Sequence, residues 1–428
     1  MTHSKSLADI AANLQGYDPQ ALPAHEVLNF LNQMVTPISE VEDVPIFQAL
    51  NRVIAKDVIS PIDVPPHDNS AMDGFAFKGD ALQTHQALSL KVVGTAFAGK
   101  AWQGTVQAGE CVKIMTGAIM PAGLDTVVPQ ELCSVETDSV SIPAGIVRAG
   151  DNRRLCGEDL KKNAPALAKG TRVTPAAVGL LASLGQPTVT VVRRLKVAYF
   201  STGDEILSLG EAPREGAVYD SNRYTVFGML QDLGCEMVDM GVVQDDPQRL
   251  EQAFSQAAQA ADAVITSGGV SVGEADFTKA MMKKLGDVVF WKIAMRPGRP
   301  MAVGRLTQGH RSAVLFGLPG NPVAVMVTFL AFVKPALLQM MGVTSAPPPL
   351  IRAKTREVLR KKPGRTEYQR GITTRNAQGE LEVVTTGNQG SGVLTSAVWA
   401  DGLIDHPAGK TLRQGDIVNY LSLADFLA

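Results

Sequence analysis

Apolar residues recur at helical spacing early in the chain. Val27, Leu28, Leu31 and Met34 share one face of a stretch from Ala24 to Met34. The double proline Pro65-Pro66 breaks this pattern. Between residues 62 and 155 the signal changes to short apolar runs, such as Ser89 to Gly94 and Glu110 to Met115, separated by glycine-marked turns. That stretch predicts a small β domain. Helix-compatible sequence returns at Pro175 to Leu184, so residues 20–61 and 156–192 are expected to pack together as one discontinuous helical or mixed domain around the β insert.

Residues 193–345 alternate strand and helix. Leu195 to Ser201, Met237 to Val243, Ala263 to Thr266 and Ala313 to Phe316 are strands. Arg223 to Leu233, Gln248 to Ala261 and Phe277 to Leu285 are helices, and a long helix follows Asn321. This alternation predicts a three-layer α/β domain with a mostly parallel sheet. Asp246 before Pro247 has the chemistry of a helix N-cap. Pro347-Pro348-Pro349 is a stiff linker. Residues 346–428 alternate as short strands, which predicts a C-terminal β domain of barrel type. The fold class is therefore multi-domain, α/β plus β.

Length alone, 428 residues at roughly 150 per domain, gives a prior of about three domains. Lys and Arg number 40 and Asp and Glu 42, a net charge of −2 that offers neither a nucleic-acid footprint nor a polybasic membrane patch. Cys111, Cys133, Cys156 and Cys235 are too widely spaced for a C-x-x-C motif and read as small buried hydrophobes in a reducing compartment. The six histidines form no ligand pair. Met1 to Tyr17 lacks the apolar core of a signal peptide. The apolar run Val323 to Val333 is too short to span a bilayer and predicts a buried helix ending at Lys334-Pro335. A cytoplasmic location is the expectation.

Candidate chemistry gathers where the α/β strands end, the edge at which open sheets bind ligands. Asp204 and Glu205 follow the first strand, and Asp245 the second. The third is followed by Ser267, Gly268, Gly269, Ser271, Gly273 and Asp276, and the fourth by Pro319, Gly320, Asn321 and Pro322. Glycines let backbone N–H groups approach a phosphate, and carboxylates beside a phosphate hold a hard cation, most often Mg²⁺. A basic group, Lys292 with Arg296-Pro297-Gly298-Arg299, suits bidentate oxyanion recognition or a solvated turn about equally. The run from Pro65 to Gly74 reads as a turn when taken alone, and the run from Lys113 to Ala118 as a strand end and turn or as a hydroxyl aimed at a ligand.

Together these motifs resemble the molybdopterin molybdenumtransferase family, which includes the E domain of gephyrin. The resemblance runs from about residue 20 to the end. It is carried by Asp63 to Gly74, Ile114 to Ala118, Gly157 to Asp159, Ser201 to Glu205, Ser267 to Asp276 and Leu318 to Pro322.

What the resemblance implies is an enzyme that moves molybdenum from molybdate onto adenylylated molybdopterin and releases AMP. It implies a Mg²⁺ requirement, a homodimer of four-domain subunits, and contact with molybdopterin adenylyltransferase and apo-molybdoenzymes, with no nucleic-acid or membrane partner. The cleft is expected between the α/β and C-terminal domains, faced by the small β domain of the other subunit. By motif, Asp73, Thr116, Glu205, Asp245 and Asp276 carry the catalytic expectation, and the last three the metal. Ser70, Asp159, Asp204, Arg370 and Ser391 join Ser267, Ser271, Lys292, Asn321 and the glycine, proline and arginine residues above as substrate contacts. Two departures stand out: Arg296 and Arg299 replace the family's usual lysines, and Ala324 stands where a serine is common. Tungstate insertion by the same mechanism, an adenylyltransferase and a binding scaffold are the competing expectations.

Overall fold

The computed structural model describes residues 21–269, 277–344, 350–360, 364–406 and 411–424. At its centre is a sheet of six strands. In chain order its elements are β1 (Lys196–Thr202), α1 (Ser221–Asp232), β2 (Glu236–Val243), α2 (Pro247–Ala260), β3 (Ala263–Ser267), α3 (Phe277–Leu285), β4 (Gly286–Lys292), β5 (Pro300–Gln308), β6 (Arg311–Leu318) and α4 (Pro322–Met340). The spatial order is β2-β1-β3-β6-β5-β4. The first four strands run parallel, and β5 and β4 are added antiparallel at one edge. The sheet is thus mostly parallel, as expected, with an antiparallel edge added. The edge strands escape the sequence pattern because Gly286 and Asp287 open β4, and Pro300 and Gly304 interrupt the apolar run of β5.

Local chemistry starts the helices. Asp246 caps α2 by accepting from the Gln248 and Arg249 N–H groups at 3.1 and 3.0 Å, with Pro247 in the first turn. Asp220 does the same for α1, accepting from Arg223 N–H at 3.1 Å. On one face of the sheet Phe200 and Phe254 meet edge to face, with centroids 5.0 Å apart.

Helix α4 does not stop at Pro335 but continues to Met340. A wider π turn over Phe329–Val333 precedes the proline. Such a turn relieves the clash and missing donor that a proline brings to a helix interior. At 19 residues α4 is long and apolar enough to cross a membrane by length and composition, but 72% of its apolar window is buried in the fold, so it is a core helix.

Residues 41–45 and 188–192 pair antiparallel, and their segments share a core of Val44, Ile54, Val173, Leu181 and Val191. The helix Ala24–Met34 departs from the expected grouping. Its Val27, Phe30 and Leu31 join the α/β core with Trp291, Ile293 and Leu337. Phe30 and Trp291 lie edge to face at 4.7 Å.

The small β domain is a second six-stranded sheet, built from segments between Gly74 and Ile142. The C-terminal strands Thr366–Arg375, Leu381–Thr385, Ile351–Thr355, Ile417–Ser422 and Gly402–His406 close into a barrel through the pairing of the first with the last. A two-residue strand, Met295–Arg296, adds to this barrel in parallel with Thr366 and Glu367.

Candidate functional site

A cleft of about 460 Å³ lies where the carboxyl ends of β1, β3 and β6 face the barrel. Three backbone segments form its α/β wall. Gly268 and Gly269 cross over from β3 with φ of +91° and +62°, a region open chiefly to glycine. A Cβ on Gly268 would lie 2.4 Å from the Thr202 carbonyl oxygen, and one on Gly269 2.4 Å from Thr278 Oγ1. Both glycines are therefore required by space as well as by φ. The Pro319-Gly320-Asn321 turn follows β6 and leads into α4, whose Ala324 also lines the cleft.

The arginine loop supplies the third wall. Arg296 and Arg299 are exposed and line the cleft. Gly298 bends at φ +94°, and a Cβ there would sit 2.3 Å from Thr328 Oγ1, so this loop is packed directly on α4. The barrel closes the cleft with Arg365 and Ser391. The Ser391 carbonyl accepts from Val323 N–H at 3.0 Å, tying the barrel loop to the start of α4. Three guanidinium groups, a hydroxyl and a helix N-terminus thus surround one space, which suits a tetrahedral oxyanion.

Acids flank the cations. Glu205 lines the cleft. Asp204 and Asp245 sit beside it outside the lining, with Asp245 N–H donating to Asp204 Oδ1 at 3.3 Å. Among the described residues no three His, Cys, Asp or Glu side chains converge. Two or three carboxylates on one edge fit a hard cation that completes its shell with phosphate oxygens, as Mg²⁺ does, rather than a cage made wholly of protein.

Several expected contacts take other roles. Ser267 is 2% exposed. Its hydroxyl lies below the floor in a net with Tyr199 OH at 2.7 Å and Ser201 Oγ at 3.2 Å. Burial, and then the nearby Asp220 carboxylate, push the Tyr199 phenol pKa up.

Arg370 is 1% exposed and is a structural clamp. It donates to Ser396 Oγ at 3.0 Å and to the Asn388 and Gly390 carbonyls at 3.3 and 3.0 Å, holding the loop that presents Ser391. Burial, and then the charge of Arg296, lower its pKa. Lys292 is exposed on β4 and outside the lining. Pro322 begins α4 next to the cleft. Ser271, Gly273 and Asp276 lie outside the described residues.

The small β domain holds a separate constellation. Thr116 donates from both its N–H and its hydroxyl to Asp73 Oδ1, each at 2.7 Å. These bonds, the backbone one foremost, lower the Asp73 pKa. Ser70 is fully buried and closes its own turn, donating to the Met72 carbonyl at 2.6 Å, so it shapes the loop and does not face solvent. Asp159 is exposed, and its N–H donates to the Val64 carbonyl at 3.1 Å. None of these four lines the cleft of its own chain. All four cysteines are free, but Cys156 is exposed and Cys133 half-buried, unlike the uniformly buried set expected.

Sequence reasoning misses Arg365, Asp220 and Asn222. Arg365 precedes its strand and carries no spacing signal. Asn222 sits one turn ahead of the apolar pattern that marks α1.

Residues 22–185 match the model of the MoeA N-terminal region (domain I and II). Residues 198–339 match a probable molybdopterin binding domain, and residues 352–423 the MoeA C-terminal region (domain IV). A molybdopterin molybdenumtransferase of Haemophilus influenzae is 43% identical over 86% of this chain and 90% of its own. One from Nostoc is 33% identical over 95% and 89%. Among solved structures, a molybdopterin biosynthesis MoeA protein of Pyrococcus horikoshii is 27% identical. It superposes with a TM-score of 0.77 over 94% of this chain and 100% of its own.

Proposed function

The chain belongs to the molybdopterin molybdenumtransferase family and is a transferase of molybdenum cofactor biosynthesis that inserts molybdenum, and from that premise we propose how its cleft carries out the insertion. The oxyanion is molybdate, held by Arg296, Arg299, Arg365 and the Ser391 hydroxyl. The organic substrate is adenylylated molybdopterin, with its phosphates against the Gly268-Gly269 backbone. The two dithiolene sulfurs bond to molybdenum while their protons and one molybdate oxygen leave as water, and water cleaves the adenylyl–phosphate bond so that AMP leaves. The observation that carries this reading is the convergence of three arginines on a glycine-lined space at a sheet's carboxyl edge.

Two anions repel, so preorganised positive charge is what brings them together. Arginine serves here because its planar fork spans two oxygens of one oxyanion. Glu205 and Asp245, with Asp276, would hold Mg²⁺ together with the substrate phosphates. When bound, the ion neutralises phosphate charge as the bond breaks.

We place Asp73 and Thr116 in the cleft of a second copy, making a homodimer with shared sites. Two observations support this: the pair is exposed and outside its own cleft, and α1 presents Tyr224 and Phe227 to solvent beside Val218 and Tyr219. Tungstate is near-isosteric with molybdate and is expected to compete for the same arginines.

The test is AMP release from adenylylated molybdopterin by the full chain, with and without molybdate. Molybdate-dependent release, with molybdenum retained on the pterin, supports the proposal. Release without molybdate points instead to simple hydrolysis, and binding without turnover to a scaffold.

A further inference from the structure

Below the cleft floor, Asn222 joins α1 to the turn after β6. Its Nδ2 donates to the Gly320 carbonyl at 2.8 Å and lies 3.5 Å from Ser267 Oγ. The residue is 7% exposed, and its Oδ1 is buried with no hydrogen-bond partner. A buried orphan acceptor is uncommon in a native fold and calls for an explanation.

We propose that Asn222 is a positioning residue: by holding the Gly320 carbonyl inward, it turns the Asn321 N–H out toward the bound oxyanion. This rests on the oxyanion reading of the cleft given above. Among the described residues the cis peptides are Val64-Pro65 and Arg296-Pro297, so the Gly320-Asn321 bond is trans. In a trans peptide the C=O and N–H point opposite ways, and fixing one aims the other. The two positions after Asn321 offer the cleft no donor. Pro322 has no N–H, and Val323 N–H is given to the Ser391 carbonyl at 3.0 Å. The Asn321 N–H therefore stands with that of Ala324 at the start of α4, where the helix dipole favours an anion.

The net beneath keeps Asn222 in place. Ser267 binds Tyr199 OH at 2.7 Å, Tyr199 OH lies 2.9 Å from Ser201 Oγ, and Asp220 caps the helix two residues before Asn222. The neighbouring titratable groups are thus Asp220, Tyr199 and Arg223. In Asn222→Asp the shape is kept while the donor becomes an acceptor facing the Gly320 oxygen. At low pH the buried carboxyl is protonated and can donate again.

The experiment is equilibrium binding of molybdate, and separately of inorganic phosphate, to the full-length protein. Wild type, Asn222→Asp and Leu230→Ala are compared at two pH values, with melting curves for each. Leu230 is fully buried on the same helix and serves as a control for lost stability alone. We expect Asn222→Asp to bind molybdate about tenfold or more weakly at neutral pH and to recover in part at acid pH, while Leu230→Ala melts earlier and binds normally. Weakened molybdate binding assigns the N–H to molybdate; weakened phosphate binding assigns it to the phosphate of the pterin. Unchanged affinity for both in a folded Asn222→Asp, or a loss matched by Leu230→Ala, overturns the inference. Failure of wild type to bind either anion overturns the oxyanion reading itself.

Discussion

Arg296 and Glu367 are paired residues in a parallel β-bridge, although one lies in the loop after β4 and the other in the C-terminal barrel. The arginine loop is therefore a strand of the barrel as well as a wall of the α/β domain. Glu367 is 4% exposed and lies behind Arg365, whose Nε is 3.8 Å from its Oε1. Two of the cleft's three guanidinium groups are thus set by one short ladder.

Arg365 and Arg370 should separate on mutation. Arg365→Ala removes a half-buried cleft cation, and molybdate affinity should fall about tenfold or more, with some loss of melting because buried Glu367 loses its ion pair. Arg370→Ala leaves two loop carbonyls and a serine without their donor, at a cost of about 3 kcal/mol. Calorimetric melting and anion titration of both variants check the distinction. Equal affinity losses with equal melting would contradict it.

Asp73 and Glu205 should complement across subunits. Asp73→Asn and Glu205→Gln are each expected to be inactive as pure proteins while melting normally. Remixing them after dissociation should restore roughly a quarter of wild-type activity, because half the dimers are mixed and each mixed dimer holds one intact site. No recovery in verified mixed dimers would refute shared sites.

Thr116 holds the Asp73 carboxyl ionised in acid. A lowered folded pKa contributes stability that is present above the unfolded value of about 3.9 and lost as pH falls through the folded value. Thr116→Val removes the hydroxyl bond but keeps the N–H bond, so the Asp73 pKa should rise toward its ordinary value. Titration by carboxyl NMR would show the shift. An unmoved pKa would mean the hydroxyl contributes nothing.

Ala324→Ser should strengthen oxyanion binding by several-fold at most, since one added neutral hydrogen bond contributes about 1 kcal/mol. Weaker binding would show that the methyl group, rather than a hydroxyl, fits the cleft.

Much of this was legible from residue patterns. The cap at Asp246, the alternation of β1 to β3 with their helices, and the placing of Glu205, Gly268 and Asn321 on one edge follow from spacing and side-chain chemistry. Burial does not follow from these. Arg370 carries the charge expected of an oxyanion contact and instead spends it on the Asn388 and Gly390 carbonyls. Ser70 and Ser267 have hydroxyls suited to a ligand but turn them inward. Strands β4 and β5 and the continuation of α4 past Pro335 depend on tertiary packing that overrides local signals. Asn222 and Arg365 acquire their roles only when distant segments meet.

The most direct test of the cleft is anomalous diffraction at the molybdenum edge from crystals of the full chain soaked in molybdate. The account predicts one strong molybdenum peak within hydrogen-bonding reach of Arg296, Arg299, Arg365 and Ser391. A peak bound elsewhere, with this space empty at saturating molybdate, would contradict it.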